Sequence, residues 1–432
     1  MHYKTAKGTF DILPQDPDPQ GKWRESHLWQ YLEKQIRDIS SEYGFQEIRT
    51  PFFETTELFT RSIGSTTDIV TKEMYTFHDK ANRSLTLRPE GTAPVMRAFI
   101  EKNLDQLAPL HKFFYLFPMF RYERQQAGRY RQHHQFGVEI IGSDSPYHDV
   151  EVIHLLWLLY ERLGLKGLTL HLNSIGRLED RKTFQHELKK YLHPHLNELS
   201  SESQARYSVN ILRILDSKNE KDQRLLREAP SILDYISDNS KAHFESVCSL
   251  LEKAKIPYQI NPNLVRGLDY YNNTVFEITS DELGAQNSLG GGGRYDDLIQ
   301  QLGGPNLPSI GFGAGLERII QTMIAQKVPL PSPPHVLLFF VPIGEAAKKR
   351  CFELLCQLRH HHISAEMEMN DRKLKNALRY ADKRGAHFTL VVGEEELASG
   401  EAHLKEMATG ASETLALDAL LTRLTYELQK NT

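Results

Sequence analysis

Residues 135–141, QFGVEII, alternate in character. Along a strand, successive side chains point to opposite faces. Phe136, Val138 and Ile140 would therefore enter a core, while Gln135, Gly137 and Glu139 share the other face. An amide and a carboxylate with a glycine between them make a polar recess, although a sheet face turned to solvent gives the same pattern. The pairing recurs elsewhere. Arg121 and Glu123 share a face, Thr86, Arg88 and Glu90 fall on one parity, and Val275 shares a face with Glu277. Several strands that bring carboxylates, amides and guanidinium groups to one side predict a polar catalytic face on an antiparallel sheet.

Arginines and glycines add a second signal. Arg318 follows GFGAG in the first turn of a predicted helix, away from the stripe of Leu316, Ile319, Ile320 and Met323. A cation there opposes the helix dipole by roughly a few tenths of a kcal/mol. An anion bound at the helix N-terminus would account for it; so would an ordinary surface arginine. Gly290–Gly293 precede Arg294-Tyr295, without the Lys-Ser or Lys-Thr of a P-loop. GFGAG has no strand-loop-helix unit with a downstream acid, so it fails the dinucleotide fingerprint. Close backbone packing at the floor of a ligand site fits both runs, with a flexible loop as the alternative. The segment 124–134, RQQAGRYRQHH, is too polar and basic for a core and predicts a long hairpin loop. Its donors suit a nucleic-acid backbone or base edges, or simply water.

The surrounding elements must position these groups. Leu28, Leu32, Ile36, Ile39 and Tyr43 recur at helical spacing over 23–43, and Gly44 is placed to end that helix. Residues 83–88 alternate like a strand, and PEGTAP is a turn opening a helix. Strands are predicted at 112–123, 135–141 and 274–279. A Gly-rich loop and a helix over 313–325 follow. The stretch 178–260 is dense in Glu, Lys, Leu and Gln, has breaks near Pro194 and Pro230, and predicts an all-helical insertion. PLPSPP at 329–334 is a stiff linker. Beyond it VLLFFV and FTLVV are buried strands alternating with helices, which implies a small α/β domain with a largely parallel sheet. The closing helix carries Leu417, Leu420, Leu421, Leu424 and Leu428 on one core stripe. The expected organisation is a catalytic domain in two parts, 1–177 and 261–328, interrupted by the insertion 178–260, then the linker 329–334 and the domain 335–432.

Composition narrows the function classes. The 432 residues suffice for two or three domains. A formal net charge of −4 excludes a general nucleic-acid coat protein but not a local RNA site. No apolar run is long enough to span a bilayer, and the start MHYKTAKGTFDILPQD lacks a signal-peptide core. The three cysteines, Cys248, Cys351 and Cys356, have no paired metal spacing, which points to a reducing, cytoplasmic setting. His360, His361 and His362 end a helical pattern and are expected to be solvated.

Larger motifs are recognisable. Pro51 within EIRTPFFE resembles the dimer-forming motif 1 of class II aminoacyl-tRNA synthetases, MFRYERQQAGRYRQHHQFGVEIIG resembles their motif 2, and GFGAGLERI their motif 3. LVRGLDYYNNTVFE at 264–277 and LGGGGRYDDL at 289–298 resemble the histidine signatures of the histidyl-tRNA synthetase family. The resemblance runs through the whole chain in order. It implies an α+β fold, with an antiparallel sheet flanked by helices, a helical insertion and a C-terminal α/β anticodon-binding domain. It also implies activation of L-histidine with ATP to an adenylate, transfer to tRNA(His), Mg²⁺ on the phosphates, and a homodimer with no membrane partner.

Site roles follow from the same resemblance. Arg121 would hold the α-phosphate, Glu123 the adenine end, and Arg318 the γ-phosphate. Arg266 would lie between the substrate carboxylate and the α-phosphate. Glu90, Gly91, Thr92 and Gln135 would receive the α-amino group. Glu139 and Tyr271 would grip the imidazole nitrogens, with Tyr270 and Tyr295 alongside. Gln126 and Arg131 would read the tRNA acceptor end, and Glu277 would be a Mg²⁺ ligand. Motif 2 departs from many relatives at Gln125, where a proline is usual, and at His133, where an aromatic is usual. Two other classes compete: a regulatory subunit like that of ATP phosphoribosyltransferase, and a tRNA-like sensing module as in kinase-fused relatives. The intact arginines, the C-terminal domain and the absence of a kinase segment disfavour both.

Overall fold

The computed structural model describes residues 3–64, 67–123, 129–281 and 287–430. They form two compact units, Met1–Pro331 and Ser332–Thr432. The strands of the first are β1 (Gln46–Glu47), β2 (Phe53–Thr55), β3 (Tyr75–His78), β4 (Ser84–Leu87), β5 (His111–Phe120), β6 (Gln132–Ile141), β7 (Leu168–Ser174), β8 (Tyr258–Ile260), β9 (Asn272–Ser280), β10 (Ser288–Arg294) and β11 (Ser309–Gly315). Eight of them make one sheet, ordered β1-β5-β6-β11-β10-β9-β7-β8, and β2-β4-β3 make a second. The large sheet is antiparallel throughout its interior and parallel only at its edge pairs, β1 with β5 and β7 with β8.

Alternation decides which face is which. Phe136, Val138, Ile140, Phe276, Ile278, Ile310 and Phe312 are buried in one core with helices Ser26–Glu42, Pro146–Arg162 and Leu316–Ala325. The opposite parity is left for polar groups. Helix Thr92–Glu101 covers part of that side with Val95, Met96 and Phe99 against Phe113, Tyr115 and Phe117.

The two glycine runs are strands, not a loop. Gly290↔Ala314, Gly291↔Gly313, Gly292↔Phe312 and Gly293↔Gly311 are paired in the middle of the sheet. Hydrogen-bond pairing on both sides overrides glycine's weak strand propensity. A Cβ on Gly292 would strike the Gly311 carbonyl, one on Gly311 the Glu139 carboxylate, and one on Gly313 the Gln135 amide.

Three further expectations change. The segment expected to be a loop to residue 134 is shorter, because β6 starts at Gln132 and pairs His133 with Met119 and His134 with Pro118. Arg121 and Glu123 lie past the end of β5, with the Arg121 N–H donating to the Arg131 carbonyl at 2.9 Å. Thr86 and Arg88 do not reach the polar face of the large sheet. Thr86 belongs to the small sheet and bonds Thr56 and Thr76. Arg88 is fully buried, donates to the carbonyls of Thr50 and Pro118, and lies 3.5 Å over the Phe117 ring.

Residues 178–260 are not wholly helical. Helices Leu178–Leu192, Ser201–Val209 and Glu220–Leu226 share a hydrophobic cluster with Leu264, Tyr270 and Tyr271. The last helix, Asp238–Lys253, buries Phe244, Val247 and Leu251 in the main core, and β8 is an edge strand of the large sheet.

The second unit has β12 (Leu338–Pro342), β13 (Ala365–Met367), β14 (Phe388–Val392), β15 (Glu401–Glu406) and β16 (Ser412–Ala416), ordered β13-β12-β14-β15-β16. Its first three strands are parallel, but β15 and β16 form an antiparallel hairpin. Only Ala402 and Leu404 of that hairpin are buried, so its sequence carried little signal. Leu417, Leu420 and Leu424 are core, whereas Leu428 is exposed near the helix end. All three cysteines are free. Among the described residues no helix is long and apolar enough to cross a membrane, and no group of three or more acidic, His or Cys side chains could hold a metal.

Candidate active site

A cleft of about 510 Å³ opens on the polar face of the large sheet. Gly290, Gly291, Gly313 and Gly315 line it, and two clusters of side chains share it.

The first cluster is built on the start of helix Thr92–Glu101. Glu90 is buried, and its carboxylate accepts the N–H groups of Thr92 and Ala93 at 2.7 and 2.8 Å. Helix N-termini favour such a charge, yet burial raises the Glu90 pKa despite those bonds. Gly91 has no Cβ because the Tyr115 ring occupies that space. The Thr92 hydroxyl donates to Glu139 Oε1 at 2.8 Å, and the Tyr295 hydroxyl donates to Oε2. Glu139 is completely buried; burial pushes its pKa up to about 8, against the pull of the Tyr295 and Thr92 bonds. Tyr270, Tyr271 and Tyr295 pack ring on ring, with centroids 4.8–6.3 Å apart. Burial raises the pKa of all three phenols. Glu139 and Tyr295 are sealed from solvent, whereas Glu90, Thr92, Gln135, Tyr270 and Tyr271 line the open cleft.

The second cluster is cationic. Arg121 donates from Nε to the Pro89 carbonyl at 2.7 Å. Glu123 faces Arg121 at 4.0 Å and Arg129 at 3.3 Å. Arg266 donates to Glu277 Oε1 at 3.0 Å, and Ser288 donates to the same oxygen at 2.7 Å. Burial opposes the Arg266 charge, but Glu277 and the neighbouring phenols raise its pKa. Arg318, in the first turn of its helix as expected, donates to the Ser288 carbonyl at 2.8 Å. Burial, then Arg129, lowers the Arg318 pKa. His133 also lines the cleft; burial and the charges of Arg121, His134 and Arg318 push it down to about 3, so its ring is neutral.

Arg131 is not on the cleft wall: its guanidinium lies 3.8 Å over the Tyr122 ring. Gln126 lies outside the described residues. Sequence reasoning also missed groups. Tyr115, hidden in the apolar run HKFFYLF, accepts from Gln135 Nε2 at 3.3 Å and fills the space under Gly91 and Gly137. Arg294 is buried beside Tyr295 and pairs with buried Asp149. A charged residue closing a glycine strand was the available signal.

Known proteins match the chain along its length. The family model described as histidyl-tRNA synthetase matches residues 20–319, and that of an anticodon binding domain matches 338–427. A histidine–tRNA ligase of Protochlamydia amoebophila is 57% identical over 420 residues, 97% of this chain and 99% of its own. One from Chlamydia felis is 46% identical over 430 residues, 99% of each. The apo histidyl-tRNA synthetase of S. aureus superimposes with a TM-score of 0.81 at 38% identity, covering 98% of this chain and 99% of the other. The antiparallel sheet, its flanking helices and the C-terminal domain are thus those of a class II synthetase, and the chain belongs to the histidyl-tRNA synthetase family.

Proposed function

We propose a division of labour by which this chain activates histidine with ATP and charges its tRNA. The buried Glu139, bonded to Thr92 and Tyr295 beside Tyr271, is the observation that carries it. Glu139 accepts one imidazole N–H, and the Tyr271 hydroxyl donates to the other ring nitrogen, with Tyr270 and Tyr295 closing around the ring. Glu90, Thr92 and Gln135 receive the α-amino group, and Gly91 lets them approach. The substrate carboxylate then attacks the α-phosphorus in line, and pyrophosphate leaves.

Two anions must meet in that step, so fixed cations carry most of the catalysis. Arg121 and Arg266 hold the α-phosphate and carboxylate oxygens, because guanidinium stays charged and binds oxyanions bidentately. Glu123 fixes the adenine end and Arg318 the γ-phosphate. A terminal ribose hydroxyl of tRNA(His) next attacks the acyl carbonyl, and AMP leaves. Mg²⁺ would arrive on the phosphates, which usually supply most of its ligands and need only one or two protein carboxylates. Glu277, whose carboxylate is oriented by Arg266 and Ser288, would supply one such ligand. The ion would neutralise phosphate charge.

Gln126 and Arg131 belong to acceptor-end recognition, Arg131 from outside the cleft. A double alanine variant should keep adenylation and lose charging. A homodimer is supported by Phe52, Phe53 and Phe77, which are 55%, 50% and 41% exposed around the small sheet next to Pro51. Sedimentation tests it. The free cysteines agree with a cytoplasmic setting, which fractionation tests.

The deciding experiment is ATP–pyrophosphate exchange with each of the twenty amino acids in turn. Exchange with histidine alone is expected. Exchange with another amino acid would overturn the roles of Glu139 and Tyr271.

A further inference from the structure

Residues 264–271 carry Arg266, Tyr270 and Tyr271 but form no helix or strand. Loop carbonyls without a ladder must find other donors, and here they find them on the helical segment. Arg213 Nη2 donates to the Gly267 carbonyl at 2.8 Å, and Arg181 Nη1 donates to the Asp269 carbonyl at 3.2 Å. Asn210 Nδ2 donates to Asp269 Oδ1 at 3.2 Å. These are three side chains from two elements of the same segment, all directed at one loop.

Arg213 reaches in a second direction as well. Its Nη1 bonds Asp68 Oδ2 at 2.8 Å. Asp68 opens the turn Ile69–Glu73, and the Glu73 carbonyl accepts the N–H of Tyr122 at 2.7 Å, next to Arg121. One guanidinium thus ties together the loop of Arg266 and the segment that abuts Arg121. The anchor is firm, since Ile211 and Ile214 on either side of it are buried with Leu264, Tyr270 and Tyr271.

We propose that Arg213, assisted by Arg181 and Asn210, is a positioning clamp through which the helical segment sets the placement of Arg266 for adenylation. The clamp rests on the assignment of Arg266 to the reacting centre. A displacement of a positioned group by about 1 Å can cost about 100-fold in rate. The bond to Gly267, rather than the ion pair to Asp68, carries the effect.

The test uses the full chain and three variants. Arg213→Ala should lower kcat for histidine-dependent pyrophosphate exchange about 10- to 100-fold, while its melting temperature falls by only about 2–4 °C. Arg213→Lys, which keeps a donor, should recover part of the rate. The swap Arg213→Asp with Asp68→Arg restores an ion pair but leaves nothing to donate to Gly267, so it should regain stability and stay slow. Amide hydrogen exchange across 264–271 should accelerate in Arg213→Ala, a readout independent of activity. An unchanged rate in Arg213→Ala, or full recovery in the swap, would overturn the clamp. A parent protein with no histidine-dependent exchange would instead overturn the assignment of the site, and the amide measurement would still judge the clamp.

Discussion

The two clusters in the cleft are built on opposite electrostatic plans. Around Glu139 the acidic groups are buried together, bonded to hydroxyls or backbone N–H groups, and held towards their neutral forms. Around Arg266 each guanidinium is instead tied to a carbonyl or carboxylate: Arg121 to Pro89, Arg266 to Glu277, Arg318 to Ser288. The first plan suits discrimination, because a wrong guest leaves buried polar groups unpaired. The second suits catalysis, because cations fixed in advance meet developing charge without reorganising.

The contrast is broken most severely at Glu139. Glu139→Ala should cut histidine activation by about 10⁴-fold or more, the scale on which polar pockets reject partners that cannot bond. ATP binding, measured by equilibrium dialysis, should survive. Retained histidine exchange would dissolve the distinction between the clusters. Arg266→Ala should do the reverse. It should lower kcat about 100- to 1000-fold, about 3 kcal/mol or more of transition-state stabilisation, while the preference for histidine over other amino acids persists in what remains. Loss of preference together with rate would mean that the clusters act as one.

Much of this was legible in the sequence because strand parity is a strong signal. Gln135 and Glu139 share a face, and Phe136, Val138 and Ile140 fill the core, as the alternation requires. The same rule failed at Thr86 and Arg88, since parity says nothing about which sheet a strand joins. Glycine propensity misled at β10 and β11, where the neighbours' side chains occupy the space a Cβ would need. The hairpin 401–416 was invisible because two buried residues make no pattern. Arg213 was unreadable too, since its partners are a carbonyl 54 positions and a carboxylate 145 positions away in the chain.

The glycines of the floor abut both clusters: Gly311 and Gly313 meet Glu139 and Gln135, and Gly291 meets Arg266. Gly292→Ala would drive a methyl group into backbone, which cannot move aside, and should destabilise the fold by about 1–3 kcal/mol. Gly313→Ala meets only the Gln135 amide, a flexible side chain, and should raise the KM for histidine with a smaller change in melting temperature. Equal melting losses in the two variants would place the strain in the strands themselves.

The last contrast is a pH dependence that the two clusters should not share. The Glu139 carboxyl is raised from 4.5 to about 8 in the folded chain. Between those values the folded state holds a proton that the unfolded state has released. Its stabilising contribution is therefore complete below about pH 4.5, declines as pH rises, and is gone above about 8. Glu139→Gln stays neutral and lacks that slope. Without ligands, the melting temperature of the parent should fall relative to Glu139→Gln from pH 5 to 8 and then level off. Arg266, whose pKa is raised, stays charged across this range, so the parent and Arg266→Ala should keep a constant difference. A flat difference for Glu139→Gln as well would mean that Glu139 ionises like an exposed acid, and that the proposed imidazole pocket selects by shape rather than by a buried proton.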